Sequence, residues 1–262
     1  MANVLEVEDV TVVYGIKVIL EDFKMRIPEG MVTSIVGPNG CGKTTLLHTL
    51  ARVLKPKYGA VLIDGRDISS LHTKDVAKRL SLLPQSSAAP AGLNVHDLVS
   101  YGRYPHKGAF EGLGHKDALN VEWAMEVTGI SSLGARRLSE LSGGQGQRVW
   151  LAMALAQDTD VILLDEPTTY LDMKFQMEIL QLLKDLNASA GKTIVMVLHD
   201  INHASRFSDC MIAMKSGVII SSGSPESVMT ESTLSGVFDV TPVMGRCPFT
   251  QRPVITSYRL KG

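Results

Sequence analysis

Gly37-Pro-Asn-Gly-Cys-Gly-Lys43-Thr44 follows the pattern G-x-x-x-x-G-K-[ST]. It stands after the apolar run Val32 to Val36 and opens KTTLLHTLARVL, a stretch apolar at helical spacing. A glycine-rich loop in that place can do phosphate chemistry. Its glycines let the backbone wrap closely, so that successive N–H groups and the helix N-terminus point at phosphate oxygens. Gly37, Pro38, Asn39, Gly40, Cys41, Gly42, Lys43, Thr44 and Thr45 form the candidate nucleotide-binding stretch. Lys43 supplies a point charge for β- and γ-phosphates, and the Thr44 hydroxyl is a candidate Mg²⁺ ligand. The bland alternative is a glycine-rich turn, which the strand and helix on either side disfavour.

Val161-Ile-Leu-Leu-Asp165-Glu166 is an apolar strand ending in two carboxylates. Side chains alternate along a strand, but at its carboxyl end the chain leaves the pleat and both carboxylates can reach a ligand. Asp165 then suits Mg²⁺, and Glu166 suits polarising an attacking water. A solvated turn is the competing reading, weakened by the phosphate loop upstream.

These residues need a scaffold. Residues 1 to 35 show short β-branched runs broken by turn signals at Tyr14-Gly15 and Pro28-Glu29-Gly30, a small strand-rich lobe. The apolar strands at Val32, Val161 and Ile194, with helical stretches such as Phe175 to Leu186 between them, predict an α/β fold with a parallel sheet covered by helices. Ser86 to Ala156 has no strong strand signal and carries helical patches near Asp117 to Val127 and Gly143 to Ala156. It reads as a helical subdomain, about 86–157, inserted in a single nucleotide-binding domain spanning 1–262. Met211 to Met214 and Val218 to Ser221, joined by Lys215-Ser216-Gly217, predict a hairpin, followed by a short helical and extended tail.

Composition narrows the function. A net charge of −1 lacks the basic footprint of a nucleic-acid binder, so no nucleic-acid partner is expected. The longest unbroken apolar run, Val149 to Ala156, falls far short of the ~18 residues needed to span a bilayer. Glu6, Glu8, Asp9 and Lys17 interrupt what would be the apolar core of a signal peptide, so cytosolic residence is expected. Three cysteines without CxxC spacing read as free thiols. Cys41, beside backbone N–H groups and Lys43, is expected to be the most reactive of them. His199 and His203 lie four apart, a spacing some zinc sites use, but no HExxH frame exists.

Leu141-Ser142-Gly143-Gly144-Gln145 is the third element, and with it the chain resembles the ATP-binding subunits of ABC transporters, whose signature motif this is. Tyr14 looks like the aromatic that stacks on adenine. Gln85 in Leu-Leu-Pro-Gln, Leu171-Asp172 after Asp165-Glu166-Pro-Thr-Thr, and His199 in Val-Leu-His-Asp stand in the family's order. The resemblance covers about the whole chain. It implies an inserted helical subdomain and a P-loop core. It also implies a homodimer sandwiching two ATP molecules, with Ser142, Gly143, Gly144 and Gln145 acting in trans on nucleotide held by the other subunit. Glu166, His199 and Gln85 are then the catalytic group, with Thr44, Gln85 and Asp165 around Mg²⁺ and Asp172 making cross-dimer contacts. Gly146 departs from the family, where a long polar side chain is common after the signature.

Among these ATPases the sequence looks most like those serving bacterial importers of ferric siderophores, haem and cobalamin, through Asn94 to His106 and Trp150 to Gln157. That implies ATP and Mg²⁺ as cofactors and a transmembrane permease as partner. A periplasmic or surface substrate-binding protein is an indirect partner, and the location is peripheral, on the cytoplasmic side of the cell's inner membrane. The permease is expected against the insert near Gln85 to Tyr104, where charge reversal at Arg103 is expected to weaken coupling. Tyr101 and Tyr104 suit either that surface or the core of the insert. The rival function is a soluble ABC ATPase such as the iron–sulfur assembly type.

Overall fold

A computed structural model describes residues 3–85, 92–108 and 112–261. The start of the expected insert, 86–91, lies outside the described residues, as does 109–111 within it. The chain forms two compact units, one made of the residues up to Ser70 together with those from Asn187 onward, the other of Leu71–Leu186.

The first unit opens with β1 (Asn3–Tyr14), β2 (Lys17–Pro28), β3 (Val32–Val36), α1 (Lys43–Leu50), β4 (Tyr58–Ile63) and β5 (Arg66–Asp67). The second holds α2 (Thr73–Arg79), β6 (Leu80–Leu83), α3 (Val95–Tyr101), α4 (His115–Val127), α5 (Gly143–Ala156) and β7 (Val161–Asp165), and most of α6 (Met173–Ala190). The chain returns to the first unit through β8 (Thr193–Val197), α7 (Ile201–Phe207), β9 (Cys210–Lys215), β10 (Val218–Gly223), α8 (Pro225–Val228), α9 (Glu231–Phe238), β11 (Val240–Arg246) and β12 (Pro253–Leu260).

In the first unit an antiparallel sheet runs β2-β1-β4-β5. Along β1, Leu5 and Val7 are buried between more exposed Glu6 and Glu8, the alternation of a sheet with one wet face. Asp9 has a positive φ of 49° where the β1–β2 register shifts, between Val7 and Val10. In the second sheet of this unit β3 lies between β8 and β9, parallel to both, and β10 pairs antiparallel with β9. Every residue of β3 and β8 is buried, as strands covered on both faces require. The predicted 211–221 hairpin is present. Its two central residues, Ser216 and Gly217, both have positive φ, as a tight turn matching the strand twist demands. The tail holds α8, α9 and a β11–β12 hairpin.

In the second unit β6 and β7 pair in parallel, from Leu80 opposite Val161 to Leu83 opposite Leu164. Parallel strands in both units, with covering helices, make the fold α/β. α5 begins where the sequence predicts: the Ser142 side chain accepts from Gln145 N–H and caps the first turn. Arg103 corrects an expectation. It is 2% exposed, its Nε donates to Asp117 Oδ1 at 2.8 Å, and its Nη1 donates to the Ala156 carbonyl at 2.7 Å. It ties α4 to the end of α5 and is no surface contact, because its guanidinium is buried against those two acceptors. Tyr101 and Tyr104 are exposed, with ring centroids 5.1 Å apart.

Candidate active site

The phosphate loop, Gln85, the Asp165–Glu166 pair and His199 each stand at the carboxyl end of a parallel strand, the end at which open α/β sheets bind ligands. Tyr14 instead ends the antiparallel strand β1, and the signature opens α5. Gly37 follows β3, and His199 stands two residues beyond β8. β3 and β8 are neighbours in parallel register, Val32 opposite Ile194 and Ile35 opposite Val197, so both motifs leave the same end of the first unit's sheet. In the second unit Gln85 lies two residues beyond β6, and Asp165 closes β7 with Glu166 just past its end.

The loop of the first unit is shaped for close approach. Gly37, Gly40 and Gly42 have φ of 153°, 74° and 104°, which L side chains rarely adopt. A Cβ at Gly37 would stand 2.2 Å from the Met214 carbonyl oxygen. Lys43 is buried, and its ammonium donates to the carbonyls of Gly37 (2.8 Å) and Pro38 (3.0 Å), folding the loop around one positive charge. α1 has no acidic residue in its first turn, and its cap, Gly42, offers no side-chain acceptor. The N–H groups and dipole of this helix therefore suit an anion. Tyr14 closes β1 with its ring half exposed, and His199 is exposed.

Cys41 does not behave as its neighbours suggest. It is 3% exposed, and burial pushes its thiol up, outweighing the Lys43 charge and nearby N–H groups. The thiol with a lowered pKa is Cys247, stabilised as thiolate by the Thr250 hydroxyl and by the N–H groups of Thr250 and Phe249.

In the second unit Glu166 is buried and has a φ of 55°, so the chain turns abruptly at the strand end. Gln85 Nε2 donates to Glu166 Oε2 at 2.8 Å, and Thr169 Oγ1 donates to the same oxygen at 3.1 Å. The structure thus joins two predicted residues and adds Thr169, whose place in the Pro-Thr-Thr run assigns it no role by residue type alone. Beyond it, Gln176 Nε2 holds the carbonyls of Thr168 (3.3 Å) and Leu171 (3.0 Å). Asp172 is exposed and its Oδ1 accepts from Phe175 N–H at 3.0 Å at the start of α6. The signature packs on this segment: a Cβ at Gly144 would meet Leu171 Cδ2 at 3.2 Å. Ser142 and Gly143 are exposed at the N-terminus of α5. Gly146 has open space around its Cβ position.

Gln85 and Asp165 in the second unit, and separately the Thr44 hydroxyl in the first, offer hard oxygens of the kind Mg²⁺ takes, and no group of three His, Cys, Asp or Glu gathers among the described residues. Mg²⁺ is typically held by one or two protein oxygens with substrate phosphates, unlike a metal enclosed by a protein cage. Among the described residues the His199/His203 pair belongs to no group of three possible metal ligands.

The family model described as ABC transporter matches residues 20–169. The chain is 49% identical over 258 residues to the iron(3+)-hydroxamate import ATP-binding protein FhuC of Bacillus subtilis (strain 168), covering 98% of this chain and 96% of that one. It is 42% identical over 247 residues to the ferric enterobactin transport ATP-binding protein FepC of Escherichia coli (strain K12), covering 94% and 89%. Among solved structures, the ATP-binding cassette MJ0796, dimeric in a post-hydrolysis state bound to ADP and Pi, matches with a TM-score of 0.75 at 31% identity, over 84% of this chain and 98% of that one. The chain belongs to the ABC transporter ATP-binding family and is an ATPase.

Proposed function

We propose that this ATPase powers import of a ferric siderophore through a separate transmembrane permease, as a homodimer bound peripherally on the cytoplasmic face of the membrane. The observation that carries the reading is the near full-length similarity to the hydroxamate import protein, with the phosphate loop, Gln85, the strand-end carboxylates and His199 at the carboxyl ends of parallel strands. Similarity to import proteins favours this over the soluble iron–sulfur assembly type. No helix among the described residues is long and apolar enough to cross a membrane.

In the proposed reaction, water attacks the γ-phosphorus of ATP and its proton passes to the Glu166 carboxylate; the bond to the β-phosphate oxygen breaks, and ADP and phosphate leave. Gln85 and Thr169 hold Glu166 Oε2 and aim the carboxylate. The loop at Gly37 to Thr45 and Lys43 hold the phosphates, Tyr14 stacks on adenine, and His199 contacts the γ-phosphate. Thr44, Asp165 and Gln85 would hold Mg²⁺, which when bound draws charge from the phosphate oxygens. Ser142, Gly143, Gly144 and Gln145 act on the nucleotide of the second copy, Asp172 makes a cross-dimer contact, and a substrate-binding protein delivers cargo to the permease.

Membrane fractionation and uptake of a labelled ferric hydroxamate test this reading. With the permease coexpressed, the chain should move to the membrane fraction, and Glu166→Gln should abolish uptake. A chain that stays soluble, or uptake that survives the variant, overturns it.

A further inference from the structure

The phosphate loop rests on the end of β9 and the turn after it, and that turn is tied to the C-terminal helix. β9 runs beside β3 with Val36, the last residue of β3, opposite Ala213, so β9 continues two residues past the start of the loop. One residue on, the Met214 carbonyl fills the space where Gly37 would carry a side chain, at 2.2 Å from the Cβ position. Three residues later Gly217 N–H donates to the Cys41 carbonyl at 2.9 Å. Gly217 is wedged in turn, since a Cβ there would stand 2.2 Å from the Ile19 carbonyl oxygen. The loop is thus held at both ends, at Gly37 and at Cys41, by residues 214 and 217.

Lys215 lies between those two supports. Its ammonium donates to the Gly236 carbonyl at 2.8 Å and to Asp239 Oδ1 and Oδ2 at 2.8 and 2.7 Å. Gly236 belongs to α9, and Asp239, with φ 57°, is its C-cap. One side chain therefore satisfies a carbonyl of the last helical turn and neutralises the cap carboxylate, at a cation position favourable to a helix C-terminus. We propose that Lys215 is a positioning residue for ATP binding: through its bonds to Gly236 and Asp239 it fixes the turn that holds the phosphate loop. The C-terminal helix thereby acts on nucleotide affinity without touching nucleotide. The inference rests on the loop holding ATP phosphates.

The test compares Lys215→Met, which keeps the stem and loses the donors, with Lys215→Arg and Asp239→Asn in the full chain. Steady-state ATPase should show the KM for ATP about fivefold higher in Lys215→Met and Asp239→Asn, with kcat little changed. The double variant should be no worse than either single one. Lys215→Arg should restore a near wild-type KM. A lowered Tm with an unchanged KM overturns the proposal and leaves Lys215 a brace for the tail alone. Lys43→Ala separates the two levels. If it still binds ATP as wild type, the loop assignment fails; if it loses ATP while Lys215→Met keeps a normal KM, only the strut fails.

Discussion

Gln85 donates its side-chain amide to Glu166 Oε2 at 2.8 Å, joining the residue two beyond β6 to the carboxylate just past the end of β7. Glu166→Gln keeps shape and removes the proton acceptor. ATP binding should persist while turnover falls by at least about a hundredfold, measured as phosphate release at saturating ATP. Turnover near wild type would remove Glu166 from the chemistry.

Thr169 donates to the same oxygen at 3.1 Å. With Gln85 intact, Thr169→Ala should leave the carboxylate less well aimed and lower kcat by about tenfold with KM nearly unchanged. Thr169→Ser should recover most of the loss. A rise in KM alone would place Thr169 in binding.

The trans role of the signature is open to a count. A dimer of one Lys43→Ala subunit and one Ser142→Arg subunit, both also carrying Glu166→Gln, should retain one ATP. In the proposed sandwich both lesions fall in one site and the other is intact. Zero retained ATP would put each signature on its own subunit's nucleotide.

Cysteine labelling should reverse the order that sequence neighbours suggest. At neutral pH maleimide should modify Cys247 first, because its hydrogen bonds hold the pKa down, and Cys41 last, because burial raises its own. Cys247→Ser should remove the fast phase, and ATP should not slow it. A fast phase that survives Cys247→Ser and is blocked by ATP would restore Cys41 as the reactive thiol.

The Arg103–Asp117 pair sets a pH dependence. Burial alone would raise the Asp117 pKa, but the hydrogen bonds from Arg103 and Gly114 N–H and the charges of Arg103 and His106 outweigh it, leaving the pKa below its usual 3.8. A carboxylate with a depressed native pKa adds stability that is complete above the unfolded value and lost as pH falls through the native one. The helical region should therefore loosen below about pH 4, and Asp117→Asn should flatten that acid limb. At neutral pH Arg103→Met should cost about 2–3 kcal/mol, since it strands a partly buried carboxylate. Unchanged thermal stability in Arg103→Met would show that the pair contributes nothing net.

What the sequence reveals and hides follows from where each signal lives. α5 is legible because Ser142, the glycines after it and the apolar spacing through Ala156 are all local. β6 is not: its four residues, Leu80 to Leu83, become a strand by pairing with β7, a partner distant in the chain. The phosphate loop and the strand-end carboxylates are legible from residue type and order, whereas Thr169 needs the coordinates that bring its hydroxyl to Glu166. Cys41 and Arg103 mislead for one shared reason. Charge and neighbours are written in the sequence, and burial, which reverses both expectations, is not.

The first turn of α5 closes on itself: Ser142 Oγ accepts from Gln145 N–H at 3.3 Å, and Gln145 Oε1 accepts from Ser142 N–H at 3.1 Å. In the proposed dimer, a nucleotide on the second copy would meet a finished helix instead of a coil. Ordering that turn is then part of the monomer's own folding and adds nothing to the entropy lost on association. The negative heat capacity that accompanies folding on contact should therefore be missing from this helix's share of nucleotide-driven dimerisation.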